Sequence, residues 1–181
     1  AAGKNRISGY TVGSLGAPVG FESLTWYDVG KFTIDTGIND AGYGFGDDTV
    51  TFTDDLVATG LEQFTITTGS GADTIDARAV TTFGVTLVGG TGSDAIYGGQ
   101  GNDSIDGGSG DDTIYGEGGN DTVQGGAGDD RIYGGIGNDF IDGSAGSDFL
   151  VGDGLSNLGA PAGGNDTILG GSGSDGIVGD Y

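Results

Sequence analysis

GGTGSDAIY-GGQGNDSID-GGSGDDTIY-GEGGNDTVQ-GGAGDDRIY-GGIGNDFID-GSAGSDFLV, residues 89–151, is one nine-residue unit written seven times without a gap. Position six is always Asp: Asp94, Asp103, Asp112, Asp121, Asp130, Asp139 and Asp148. Position eight is always aliphatic: Ile96, Ile105, Ile114, Val123, Ile132, Ile141 and Leu150. A single copy is a poor folding unit. Its glycines are costly to order, and one aliphatic side chain buries little. A fixed period changes that, because a unit unable to bury its own apolar face can bury it against stacked copies of itself.

The spacing predicts the shape. Positions seven to nine, x-aliphatic-x, make a very short strand whose central side chain points one way and whose neighbours point the other. Positions one to six, with Gly at one, two and four, make a tight turn. Turn, strand, turn, strand closes a coil in 18 residues, so the stack is an all-β parallel roll with two sheets of short strands. Ile96, Ile114, Ile132 and Leu150 should ladder down one inner face, opposite Ile105, Val123 and Ile141. At about 25 cal/mol per Å² so thin a core does not offset the ordering of so much glycine. Something else must contribute.

The acidic edges answer that need. Coils stack about 4.8 Å apart. Asp94, Asp112, Asp130 and Asp148 then form one column, and Asp103, Asp121 and Asp139 another. Left bare, each neighbouring pair costs on the order of 1–4 kcal/mol. The whole chain is short of positive charge, with 27 acidic residues against 5 Lys and Arg and a net charge of −22. Such a surface argues against nucleic acid or an anionic membrane as partner and for cations as counter-charge. Carboxylates and turn carbonyls, in a chain without His or Cys, describe a hard-cation site of irregular coordination. Ca²⁺ suits it better than Zn²⁺, which prefers N or S ligands, or Mg²⁺, which keeps its waters.

The pattern GGxGxDxUx resembles the calcium-binding nonapeptide repeat of RTX (repeats-in-toxin, haemolysin-type) proteins. The resemblance is strict over 89–151, good at 164–178, diluted at 43–76 and absent from 1–40. It implies a right-handed parallel β-roll (β-helix solenoid) with ions lying between successive coils on each edge. Each ion takes the carbonyls of positions two and four plus the Asp of one turn, and the carbonyls of positions one and three plus the Asp of the next. On one edge this implies Gly90, Gly92 and Asp94 with Gly107, Ser109 and Asp112; then Gly108, Gly110 and Asp112 with Gly125, Ala127 and Asp130. Gly126, Gly128 and Asp130 follow with Gly143, Ala145 and Asp148, and Gly146 and Asp148 with Gly170, Ser172 and Asp175. On the other edge it implies Gly99, Gly101 and Asp103 with Gly116, Gly118 and Asp121. Glu117, Gly119 and Asp121 come next with Gly134, Ile136 and Asp139, and then Gly135, Gly137 and Asp139 ahead of Asp166. In the diluted part it implies Gly69, Gly71 and Asp73 facing Gly89, Thr91 and Asp94. About five to eight Ca²⁺ ions result, of the affinity class of extracellular modules. Glu117 departs from glycine at position two; its carbonyl survives, while its Cβ is expected to strain the turn.

Outside the strict repeat the organisation loosens. "YGFGDDTVT" (43–51) and "TGSGADTID" (68–76) keep Gly at two and four, Asp at six and an aliphatic at eight. Their longer spacings predict larger coils of the same solenoid. Alternating runs such as "KFTID", "TVTFT" and "QFTIT" read as strands. We therefore expect a β cap over 1–40, larger coils over 41–88 and the calcium roll over 89–181. Segment 152–169 reads either as a degenerate coil or as one turn carrying a nine-residue excursion, Leu155–Gly163; the excursion is the preferred reading, and it moves Asp166 to the opposite edge. The final "GSGSDGIVGDY" stops within the pattern, as a fragment of a longer chain would.

Other readings carry less. Position-five residues (Ser93, Asn102, Asp111, Asn120, Asp129, Asn138) read as turn caps. Tyr97, Tyr115 and Tyr133 fall 18 apart, as a stacked outward ladder or, alternatively, a strip that grips a polysaccharide or cell-surface glycan. Outward Ala95, Thr113, Arg131 and Phe149 are too irregular for a flat, ice-ordering Thr array. No catalytic motif is present, and Asp47/Asp48 or Asp54/Asp55 would face opposite sides of a strand, so the chain itself is not expected to be an enzyme. It could accompany one, such as a secreted polysaccharide epimerase, lipase or protease. Lack of Cys excludes disulfides without fixing a compartment, no run of about 18 apolar residues is present, and "AAGKNRISGY" has no apolar signal core. The RTX resemblance implies a secreted bacterial protein, extracellular or at the cell surface, exported by type I secretion and folding where calcium is plentiful.

Overall fold

A computed structural model describes residues 5–12, 18–26, 31–35, 46–52, 63–153 and 163–179. The excursion 155–163 and Asp54/Asp55 lie largely or wholly outside that set. The strands are β1 (Asn5–Val12), β2 (Pro18–Trp26), β3 (Lys31–Asp35), β4 (Thr49–Thr51), β5 (Gln63–Ser70), β6 (Thr74–Asp76), β7 (Thr86–Thr91) and β8 (Ala95–Tyr97). They continue with β9 (Ser104–Ser109), β10 (Thr113–Gly118), β11 (Thr122–Ala127), β12 (Arg131–Ile136), β13 (Phe140–Ala145), β14 (Phe149–Asp153), β15 (Thr167–Leu169) and β16 (Gly176–Val178). Among the described residues there is no helix, hence none long and apolar enough to cross a membrane.

Alternate strands go to alternate sheets. One sheet runs β16-β14-β12-β10-β8-β6-β4-β1-β2, the other β15-β13-β11-β9-β7-β5-β3. From β3 and β4 onward every pairing is parallel, as a solenoid requires. The hairpin β1–β2 is antiparallel and joins the first sheet where Tyr10 meets Thr49. It covers a strand edge that would otherwise be open to pairing. β3 already forms the first rung of the second sheet, against β5.

Register follows the nonamer. Ile96, Ile114, Ile132 and Leu150 are successive partners in one sheet, and Ile105, Val123 and Ile141 in the other. All seven are buried. Most strands are longer than the three residues the spacing suggests. They run on through positions one to three, as in β9 to β13, because glycine at position two pairs with position two of the neighbouring coil (Gly90 with Gly108, Gly108 with Gly126). The wider coils are closed by a thicker core. Val50, Phe52, Phe64, Ile66, Ile75, Val80, Val85 and Leu87 are buried, and Phe64 meets Phe52 and Phe83 edge-on at 5.3 and 6.4 Å.

After β14 the register jumps. Thr167 pairs with Phe140 and Gly176 with Phe149. Coil spacing is therefore 27 residues here, nine more than the usual 18.

Candidate metal centre

The turns are tied by two counter-running ladders of side chain to backbone bonds. In the inner one, the Oδ1 of a position-six Asp accepts the amide of the Asp one coil earlier, except at Asp103, where the donor is Val85 N. Asp112 takes Asp94 N, Asp130 takes Asp112 N and Asp148 takes Asp130 N, at 2.8, 2.9 and 2.9 Å. On the opposite edge Asp121 takes Asp103 N and Asp139 takes Asp121 N, both at 2.8 Å. The chain continues at both ends, since Asp73 takes Asp48 N, Asp94 takes Asp73 N, Asp166 takes Asp139 N and Asp175 takes Asp148 N. Asp166 thus follows Asp139, on the edge opposite Asp148.

The outer ladder belongs to position five. Asn102 Oδ1 accepts Asn120 N, Asn120 accepts Asn138 N and Asn138 accepts Asn165 N, while Asp111 accepts Asp129 N and Asp129 accepts Ser147 N. These side chains link one coil to the next, where caps within a single turn were expected. Being exposed, they hold the turns together without needing an ion.

The inner carboxylates have a second oxygen, and that oxygen is where the structure is incomplete as protein alone. Asp94, Asp112, Asp121, Asp130, Asp139 and Asp148 are each at most 3% exposed, yet their Oδ2 atoms have no hydrogen-bond partner. Each Oδ2 lies beside the position-one Cα of its own turn and faces the position-one carbonyl of the next coil. A Cβ added to Gly89 would overlap Asp94 Oδ2 and lie 2.7 Å from Gly107 O; one on Gly107 would meet Asp112 Oδ2 and lie 2.6 Å from Gly125 O. Burial accordingly pushes the carboxyls up, partly offset by the backbone amides they accept: Asp130 and Asp139 to about 6, Asp112 to about 7 and Asp121 to about 8, with Asp94 and Asp148 also raised. A buried carboxylate without a counter-charge costs several kcal/mol. Oxygen donors converging on unpartnered anionic oxygens fit a hard cation. Among the described residues no three acidic side chains converge on one point, so such a cage takes most of its ligands from carbonyls.

Backbone conformation supplies those carbonyls. Gly90, Gly108, Gly126 and Gly135 at position two have φ of 115, 108, 113 and 113°, a region that side chains disfavour. Glu117 fits by relaxing to φ 74°, nearer the left-handed minimum. Ser144 does the same at φ 71°; the sequence reading had not singled it out, although it too replaces glycine at position two. Gly171 and Gly173, also overlooked, adopt positive φ in the last coil over the carbonyls of Ser144 and Gly146.

One implied set is built differently. Gly99 and Gly101 lack the positive φ of their counterparts. Asp103 Oδ2 accepts Gly99 N at 2.7 Å, and Gln100 Nε2 donates to the Gly99 carbonyl at 3.3 Å. The cause is the neighbouring coil. Gly99 and Gly101 sit against the backbone of Val80 and Phe83, where the wide coil presents no matching glycine turn. Asp103, carrying a carboxyl raised to about 6 by burial, therefore has both oxygens occupied, Oδ1 by Val85 N at 2.8 Å and Oδ2 by Gly99 N. Its Oδ2 still lies beside Gly98 and the Gly116 carbonyl as in the other turns, but Gly99 and Gly101 do not share the backbone conformation of their counterparts.

The tyrosines form a ladder. Tyr97 and Tyr115 stack at 5.1 Å and 1°, Tyr115 and Tyr133 at 4.8 Å and 5°. Arg78, paired with Asp76, lies 4.6 Å over the outer face of Tyr97, and Phe149 meets Tyr133 at 6.3 Å. Ring faces on which a sugar could stack are thus largely taken by neighbours.

A family model for the RTX calcium-binding nonapeptide repeat (4 copies) matches residues 65–79, 86–114, 115–150 and 162–180, more than half of the chain. No curated protein and no solved structure matches it. The parallel two-sheet solenoid, the column of buried aspartates and this match lead to one conclusion: the chain belongs to the RTX calcium-binding repeat family and is a calcium-binding β-roll module.

Proposed function

We propose that this module is a calcium-triggered folding element of a secreted bacterial protein. The observation that carries the reading is the set of six buried, unpartnered Oδ2 atoms, each facing a carbonyl of the next coil. Without a cation they oppose stacking; with one they cross-link coils, so binding free energy becomes folding free energy. We assign about six Ca²⁺ ions, one to each of those oxygens. Asp94, Asp112, Asp130 and Asp148 open four sites on one edge, and Asp121 and Asp139 open two on the other. Each ion is held by carbonyls of positions two and four and the Asp of one coil, with carbonyls of positions one and three and the Asp of the next.

RTX repeats typically occur in secreted bacterial proteins. The calcium roll then stays unfolded where calcium is scarce, through charge repulsion and glycine entropy, and rigidifies outside the cell, as suits a type I export substrate. We read it as non-catalytic: Asp47 is exposed and bonded to Ala72 N, whereas Asp48 is buried, so the pair does not act as a dyad. Circular dichroism tests the folding claim. The β signal of the roll, from Asp94 onward, should be missing in chelator and return cooperatively as Ca²⁺ is added. A chain equally folded in both conditions would overturn the reading.

A further inference from the structure

The inner hydrogen-bond ladder runs without interruption from Asp148 back to Asp48, but its environment changes at residue 68. In the turn "TGSGAD" (68–73) position one is Thr, whereas every position one from 89 to 143 is Gly. Register is unchanged, with Gly69 beside Gly90 and Ser70 beside Thr91. Thr68 is fully buried, and its Oγ1 donates to the carbonyl of Gly89 at 2.9 Å. In the coils that follow, the space beyond the position-one Cα is enclosed by Oδ2 of the same turn and the position-one carbonyl of the next. For Gly125 these are Asp130 Oδ2 and Gly143 O, for Gly143 Asp148 Oδ2 and Gly170 O.

We infer that Thr68 closes the gap between Asp73 and Asp94 to calcium, so that the metal column on this edge begins at Asp94. The Thr side chain fills the space that glycine leaves open, and its hydroxyl takes the carbonyl that an ion would need. A neutral hydrogen bond thereby replaces a metal cross-link at the junction between the wide coils and the roll. The RTX pattern at 65–79 is, on this view, retained in backbone geometry and lost in metal binding. The inference rests on the calcium assignment proposed above and narrows it.

Counting bound Ca²⁺ on the intact chain, by native mass spectrometry and by calorimetric titration, tests it with three variants. Asp73→Asn keeps the Oδ1 that accepts Asp48 N but removes the charge, and should leave the ion count unchanged. Thr68→Gly should add one ion. Asp112→Asn, which faces gaps on both sides, should lose two. Loss of one ion in Asp73→Asn overturns the inference, as does a Thr68→Gly chain that folds and gains none. Should Thr68→Gly not fold, Asp73→Asn decides alone. If Asp112→Asn binds as many ions as the parent, the calcium column itself is wrong and this inference falls with it.

Discussion

Asp112 divides its carboxylate between two tasks: Oδ1 accepts Asp94 N at 2.8 Å, and Oδ2 is buried without a protein partner. Its neighbour Asp111 is exposed and spends Oδ1 on Asp129 N. Two adjacent aspartates of one turn thus differ completely in consequence. Asp111→Asn keeps the acceptor and should leave calcium binding unaltered within error in a titration, whereas Asp112→Asn keeps Oδ1 yet should weaken it steeply. Titration of the metal-free chain follows from the same burial. Asp112 and Asp121 are raised to about 7 and about 8, against an unfolded value near 3.9. A group raised on folding stabilises the native state while both states are protonated, below about pH 4, and that stabilisation is lost as pH climbs through the folded values. In chelator, β structure followed by circular dichroism should therefore grow on acidification from about pH 8 to pH 4. Calcium competes with those protons, so its apparent affinity should fall over the same interval. A chelated chain indifferent to pH would show that these carboxyls do not govern coil stacking.

Most rungs of the roll bury a single aliphatic side chain, and the two faces of β10 show how that suffices. Inward, Ile114 is fully buried between Ile96 and Ile132. Truncating it to Ala should cost about 2–5 kcal/mol in denaturant melts of the calcium-loaded chain. Outward, Tyr115 stacks on Tyr97 and Tyr133. Two stacked faces at about 0.5–1.5 kcal/mol each make Tyr115→Ala a loss of about 1–3 kcal/mol with the ion count unchanged. A glycan-binding role would instead appear as lost binding on a glycan array with little change in stability. Both ladders are legible in the sequence, because the period fixes register and register fixes which side chains meet. The strand ends are not: the pairing of Gly90 with Gly108 lies in residues that read as turn. Nor is the altered turn at Gly99 and Gly101, since its cause lies in the backbone of Val80 and Phe83, which no nonamer announces. Thr68 was visible as a departure from Gly, but the bond that makes it matter was not.

Along the whole molecule the source of stability changes from one end to the other. The wide coils bury four (Val50, Phe52, Phe64, Ile66) and five (Ile75, Ala77, Val80, Val85, Leu87) apolar side chains where an 18-residue coil of the roll buries two, such as Ile114 and Val123, and Phe52, Phe64 and Phe83 interlock in them. Arg78 bridges the boundary, paired with Asp76 of one coil and resting on Tyr97 of the next. Solenoid stability is close to a sum of coil and interface terms, so removing calcium should not act evenly. Where interfaces depend on ions, from Asp94 onward, the terms turn unfavourable; where they depend on apolar contact and the Thr68 hydrogen bond, they do not. Hydrogen exchange read by mass spectrometry checks this. In chelator, peptides from 95–153 and 163–179 should exchange almost freely while those covering 63–88 keep their protection. Adding Ca²⁺ should restore protection first in the coils stacked on that remaining core, because a new coil needs a formed edge to pair with. If both halves lose protection together, the wide coils are no platform and the ions stabilise the solenoid as one unit.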